Sequence, residues 1–174
     1  MSAVVGALGA ALGVMASRYS DAVDAEQVLD RLKSEFLPLA DQDAEAYGQV
    51  NKALALPKGT DEEKQRRKAV LQTALSEAAD VPLKGMGMAI RGLEVLAELA
   101  PRCNKNLTSD LSGAARFLEA ALAGCAENVA VNASGLLDKI RRAGLERDQA
   151  RLEEQARALM TRVAEGVESA HARR

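Results

Sequence analysis

Three short stretches hold most of the side chains that could do chemistry. Asp41–Asp43 with Tyr47 offers two carboxylates and a phenol, and the loop Lys58–Thr60 offers a lysine and a hydroxyl. The run Asn104-Lys105-Asn106-Leu107-Thr108-Ser109-Asp110 combines amides, a lysine, hydroxyls and a carboxylate. Asn128 and Asn132 add two more amides, one helical turn apart. Carboxylates, amides and lysines move protons and stabilise developing charge. The equipment of other chemistries is missing: no G-x-S-x-G, H-E-x-x-H or G-x-x-x-x-G-K-[ST] occurs. Cys103 and Cys125 have no histidine at ligand spacing, so no metal is expected. The single histidine, His171, lies near the C-terminal end and reads as part of a tail.

Two of these features admit two readings each. Thr108 or Ser109 could cap a helix that Asp110 favours at its start, or the same loop and helix start could bind an anion such as a substrate carboxylate. Asn132 interrupts an apolar seam, and a buried amide left without partners costs roughly 1–3 kcal/mol. It must be hydrogen-bonded, either to a neighbouring helix, setting register, or to a ligand.

The elements that hold these residues are helical. The chain has 174 residues, enough for one domain (1–174) with an apolar core. Hydrophobic residues make up 48%, yet only Tyr19, Phe36, Tyr47 and Phe117 are aromatic, so Ala, Leu and Val must fill closely spaced helices. The net charge of −2, with both signs mixed along the chain, argues against sequence-independent binding to nucleic acid. Two cysteines in a chain of this size fit a reducing cytoplasm. The first seventeen residues lack the basic start of a signal peptide and fall short of the ~20 residues that span a bilayer. Gly6, Gly9 and Gly13 form one smooth edge, as in a buried helix approached closely by another backbone.

A second helical run starts near Asp21 and continues to Pro57, with a kink or break expected at Pro38. Thr60 and Glu63 make a capping box for a third helix, which Pro82 should stop. A fourth covers Leu83 to Ala100. A fifth carries the seam Leu111, Ala115, Leu118, Leu122, Cys125, Val129, Asn132, Leu136 and Ile140. A sixth runs from about Leu145 to Ala170, apolar on one stripe and charged elsewhere. The expectation is an all-α, single-domain bundle of five to six helices.

Leu56 to Leu83 reads LPKGTDEEKQRRKAVLQTALSEAADVPL, and it resembles the signature stretch of the formiminotetrahydrofolate cyclodeaminase and methenyltetrahydrofolate cyclohydrolase family. DQDAEAYGQVNKA (from Asp41), NLTSDLSGAA (from Asn106), NVAVNASGLLD (from Asn128) and GALGAALG near the start are similar to further family segments, in the same order. The family's lysine-rich element after the first helix is represented here only by Ser17-Arg18-Tyr19.

The resemblance implies an all-α, usually dimeric protein that binds tetrahydrofolate derivatives in a cleft, with no metal and no cofactor beyond the folate substrate. The activity it implies first is hydrolysis of 5,10-methenyltetrahydrofolate to 10-formyltetrahydrofolate. Alternatives are release of ammonia from 5-formiminotetrahydrofolate, or a folate-binding or structural helical dimer without turnover. By the same resemblance Asp110 would be the catalytic carboxylate. Asn106, Asn128, Asn132 and Asp43 would contact the substrate, and Lys58 and Lys105 its glutamate tail. One constraint is geometric. Asp110 and Asn128 are eighteen residues apart, about 27 Å on a straight helix. Both can serve one substrate only if the helix breaks (at Gly124), if a dimer completes the site, or not at all, one of them being structural.

Overall fold

The computed structural model describes residues 1–172, and among these it contains five α-helices and no strand. They are α1 (Ser2–Arg18), α2 (Val23–Leu54), α3 (Asp61–Leu99), α4 (Thr108–Ser134) and α5 (Lys139–Ala172). Two single 3₁₀ turns, Ala100–Arg102 and Lys105–Leu107, link α3 to α4. Helix α1 packs on α2 and α4, and α3 packs on the same two, so the first four helices close into a ring. Helix α5 lies along the α3–α4 edge. Phe36, Leu29, Leu93, Leu96, Leu111 and Leu118 fill the centre and are fully buried.

Helix α3 starts where the capping box requires: Glu63 N donates to Thr60 Oγ1 at 3.2 Å, and Thr60 N donates back to Glu63 Oε2 at 3.1 Å. It does not stop at Pro82, and the expected third and fourth helices are one. Proline has no N–H for the carbonyl four residues back, here that of Ala78. Asn132 of α4 supplies the missing donor, its Nδ2 lying 3.1 Å from Ala78 O. Helix α2 likewise runs through Pro38, which is exposed, as is Ser34, whose carbonyl the proline leaves free.

Three further expectations are corrected. Helix α4 ends at Ser134, so Ile140, 87% exposed in the first turn of α5, is not part of its seam. Helix α5 therefore begins six residues earlier than expected, where Asp138 Oδ1 accepts from the N–H groups of Ile140 and Arg141. Neither Thr108 nor Ser109 caps α4. Thr108 already lies inside the helix and donates its hydroxyl to Lys105 O at 3.1 Å. His171 is not a free tail either, because its Nε2 sits 2.8 Å from that same hydroxyl.

The glycine edge of α1 does face inward. A Cβ on Gly6 would lie 2.6 Å from the Phe36 ring, and one on Gly9 would lie 3.0 Å from the backbone oxygen of Ala114. The opposite face of α1 is apolar too, yet it is uncovered: Met1, Val4 and Leu8 are 92%, 44% and 54% exposed. The helix is thus half-buried rather than buried. No helix among the described residues is long and apolar enough to cross a membrane.

Candidate functional site

Past the start of α1, a groove of about 280 Å³, partly open to solvent, lies between α2, α3 and α4. Helical periodicity brings its lining together. Asp43, Tyr47 and Val50 follow one another along α2, Leu75 and Ala78 along α3, and Asn128, Val131 and Asn132 along α4. Four of the residues singled out in the sequence, Asp43, Tyr47, Asn128 and Asn132, therefore meet on one surface. The carboxylate of Asp43 is half-buried, with apolar walls and the exposed Tyr47 ring nearby. Asn132 is held in place, its Nδ2 also donating to Asn128 O at 3.0 Å. Both readings of Asn132 thus have a physical basis: it ties α4 to α3, and it lines the groove.

A smaller cleft adjoins the groove and shares Asp43 and Asn128 with it, adding Met1, Ser2, Pro82 and Cys125. Sequence reasoning placed Cys125 in the apolar seam and assigned Ser2 no role. The signal available was that Cys125 precedes Asn128 by three residues and so shares its helix face. Burial pushes the Cys125 thiol up to about 11; the negative charge of Asp43 adds to this, and the chain's amino terminus and a hydrogen bond from Ser2 oppose it. At pH 8 such a thiol is about one-thousandth thiolate. Native Cys125 is therefore expected to react with iodoacetamide about a hundredfold more slowly than a free cysteine. Mass spectrometry of the labelled protein checks this, and stoichiometric labelling within minutes would contradict it.

The remaining candidates lie elsewhere. Lys105 and Asn106 occupy the 3₁₀ turn before α4, where Asn106 N donates to Asn104 Oδ1 at 3.1 Å. Asp110 is half-buried in the first turn of α4. This corner is tied to the α1–α2 corner by Asn104, whose N–H donates to Ser20 Oγ at 2.9 Å and whose Nδ2 donates to Tyr19 O at 3.2 Å. Since α4 is continuous through Gly124, Asp110 stands about 27 Å from Asn128, and a helix break is not what unites them. Lys58 is exposed in the α2–α3 loop, outside the groove. No group of three or more His, Cys, Asp or Glu among the described residues is placed to hold a metal ion.

Fold and groove define an all-α bundle in which a carboxylate and two amides face a common cleft. A family model described as formiminotransferase-cyclodeaminase matches residues 1–151. The chain belongs to that family. It is 36% identical over 149 residues to a methenyltetrahydrofolate cyclohydrolase from Methylorubrum extorquens, covering 79% of this chain and 72% of that protein. It is 34% identical over 151 residues to the formimidoyltransferase-cyclodeaminase of Mus musculus, covering 80% of this chain and only 28% of that longer protein. Among solved structures, the formiminotetrahydrofolate cyclodeaminase of Thermotoga maritima superposes with a TM-score of 0.84 at 27% identity, covering 96% of this chain and 85% of that one.

Proposed function

We propose that this chain is an enzyme of folate one-carbon metabolism, a methenyltetrahydrofolate cyclohydrolase acting as a cytoplasmic homodimer. The observation that carries the reading is the convergence of Asp43, Asn128 and Asn132 on one groove, in a chain that is 36% identical to a cyclohydrolase. The substrate's methenyl carbon bridges N5 and N10 as an amidinium cation. Water adds to that carbon and gives up a proton. The tetrahedral adduct then collapses, breaking the bond to N5, which takes a proton and leaves the formyl group on N10. A carboxylate near the carbon stabilises the cation and accepts the proton of the attacking water. Cyclodeamination, in which N10 attacks a formimino carbon and ammonia leaves, is the second reading. It is favoured by the likeness to the Thermotoga maritima cyclodeaminase and would use the same groups.

Dimerisation supplies what one chain keeps apart. The uncovered stripe of α1 (Met1, Val4, Leu8, with the half-buried Val5, Leu12 and Met15) continues onto Phe117 of α4. No charged side chain occurs between Met1 and Arg18, whereas a helix lying on a lipid surface carries basic residues on its polar face. A second copy of the same stripe is the fitting cover, packed antiparallel about a two-fold axis. Seventeen residues of α1 span about 25 Å, close to the separation of Asp110 from Asn128. The antiparallel pair therefore sets Asp110 of the partner subunit, with the partner's Lys105 and Asn106, beside the Asp43 groove. Asp110 is then the catalytic carboxylate, and Asp43, Asn128 and Asn132 bind the pterin. Lys105 and Lys58 are the cations available to the glutamate tail.

Purified protein is expected to consume 5,10-methenyltetrahydrofolate and accumulate the 10-formyl product. Leu8→Glu should give a monomer with unchanged helix content and turnover lower by about a hundredfold or more. If the protein binds tetrahydrofolate yet shows neither hydrolysis nor ammonia release, the enzyme reading fails. If Leu8→Glu remains dimeric and active, α1 is not the interface.

A further inference from the structure

The carbonyl that Pro82 leaves unpaired does more than mark a departure from a regular helix. Nδ2 of Asn132 donates to Ala78 O at 3.1 Å and to Asn128 O at 3.0 Å. Two carbonyls on one side decide which end of the amide is which, since an oxygen there would face two oxygens. No hydrogen bond among the described residues reaches Oδ1 of Asn132, and Asn132 lines the groove. Asp43, on the facing helix, offers only acceptors when ionised.

We infer that Pro82 is a positioning residue: by orphaning the Ala78 carbonyl it anchors the Asn132 amide with its oxygen turned to the groove. Asn132 and Asp43 together then select a ligand edge made of N–H donors. This rests on the folate reading, within which the matching edge is the 2-amino-4-oxo-pyrimidine side of the pterin. Tyr47, Leu75 and Val131 supply the apolar surroundings that a flat heterocycle needs. Were position 82 an ordinary residue, its own N–H would compete for Ala78 O, and the Asn132 amide would be held less firmly with its oxygen toward the groove.

A stability cycle tests the anchor. Asn132→Ala is expected to lower the folding equilibrium constant about tenfold in the native background, because it strands a buried carbonyl. In a Pro82→Ala background, where the helix repairs itself, the loss should be less than about threefold. Equal losses in the two backgrounds would overturn the anchor.

Selectivity is tested with tetrahydropterin and its 2-methyl counterpart, which lacks the amino donor. The native protein should bind tetrahydropterin at least about tenfold more tightly. Pro82→Ala should narrow that ratio at least about fivefold and raise KM for methenyltetrahydrofolate with kcat nearly unchanged. Equal binding of the two pterins by the native protein would overturn this inference while leaving the folate reading intact. Binding of neither, with the stability cycle as expected, would remove the folate reading and the ligand assignment together but keep the anchor.

Discussion

Asp110→Asn and Asp43→Ala proteins, each close to inactive alone, should regain about a quarter of native turnover when their subunits are mixed and allowed to re-pair. In the proposed dimer each groove draws Asp43 from one chain and Asp110 from the other. A hybrid pair therefore collects both lesions in one site and leaves the second site whole. Random re-pairing makes half the dimers hybrids, each with one of its two sites intact. Asp110→Asn keeps size and hydrogen-bonding capacity but removes the charge, and a loss of about 10²–10³ in kcat is expected. Asp43→Ala should act mainly through substrate binding, so turnover is read with substrate well below KM, where this variant too is close to inactive. Sedimentation of each variant confirms that the pairs persist. A mixture no more active than the mean of its parents would show that the two carboxylates serve one chain or separate purposes.

Gly9→Val is expected to cost about 3 kcal/mol and to lower the melting temperature by roughly 10 °C. A Cβ at this position would already lie 3.0 Å from the Ala114 backbone oxygen, from Leu118 Cγ and from Phe117 Cβ. Two of these three neighbours are close to or part of the α4 backbone, so no side-chain rotation relieves the overlap. The helices must separate, and the start of α1 must move away from the groove. Gly48 is the matched control, because a Cβ there would meet nothing within 4 Å. Gly48→Ala on α2 should therefore be neutral or stabilising, by up to about 1 kcal/mol. Thermal melts followed by circular dichroism distinguish the two. A Gly9→Val protein that melts with the parent would mean that α1 and α4 are not in this contact.

What the sequence disclosed depended on the range of the interaction. The capping box at Thr60 and Glu63 is local: both partners stand within four residues, and the structure shows both bonds. The glycine edge of α1 was legible for a similar reason, since spacing alone aligns it. Pro82 misled because its consequence is settled by Asn132, which lies fifty-four residues from the Ala78 carbonyl it satisfies. Nothing near Pro82 announces that a donor waits on another helix. Ile140 misled in the opposite way: its spacing extends the seam of α4 in phase, but the chain turns at Gly135 to Asp138 before reaching it. That reversal is steadied from α3 by Gln72, which donates to Gly135 O at 2.9 Å and accepts from Leu137 N at 2.6 Å.

The candidate site was legible as a set of residue types and only partly as a place. Counting residues was enough to show that Asp110 and Asn128 stand far apart. It could not show that Asp43 would join the asparagines, because that depends on how α2 packs against α4. Nor could it show that the outer face of α1 is left bare, a property of the whole ring.

The unbroken course of α4 has an electrical consequence for such a pair. Aligned peptide units leave roughly half a positive charge at the start of a helix and half a negative charge at its end. Asp110 stands at the first pole, and Asn128 and Asn132 stand near the second. Two antiparallel copies would place the positive pole of one α4 beside the negative pole of the other. A ligand lying along that seam would cross a graded potential, with its hydrogen-donating head at the negative end and its carboxylate tail toward the positive one. A single helix, used twice in opposite senses, would thus give an elongated substrate only one favourable direction in which to lie.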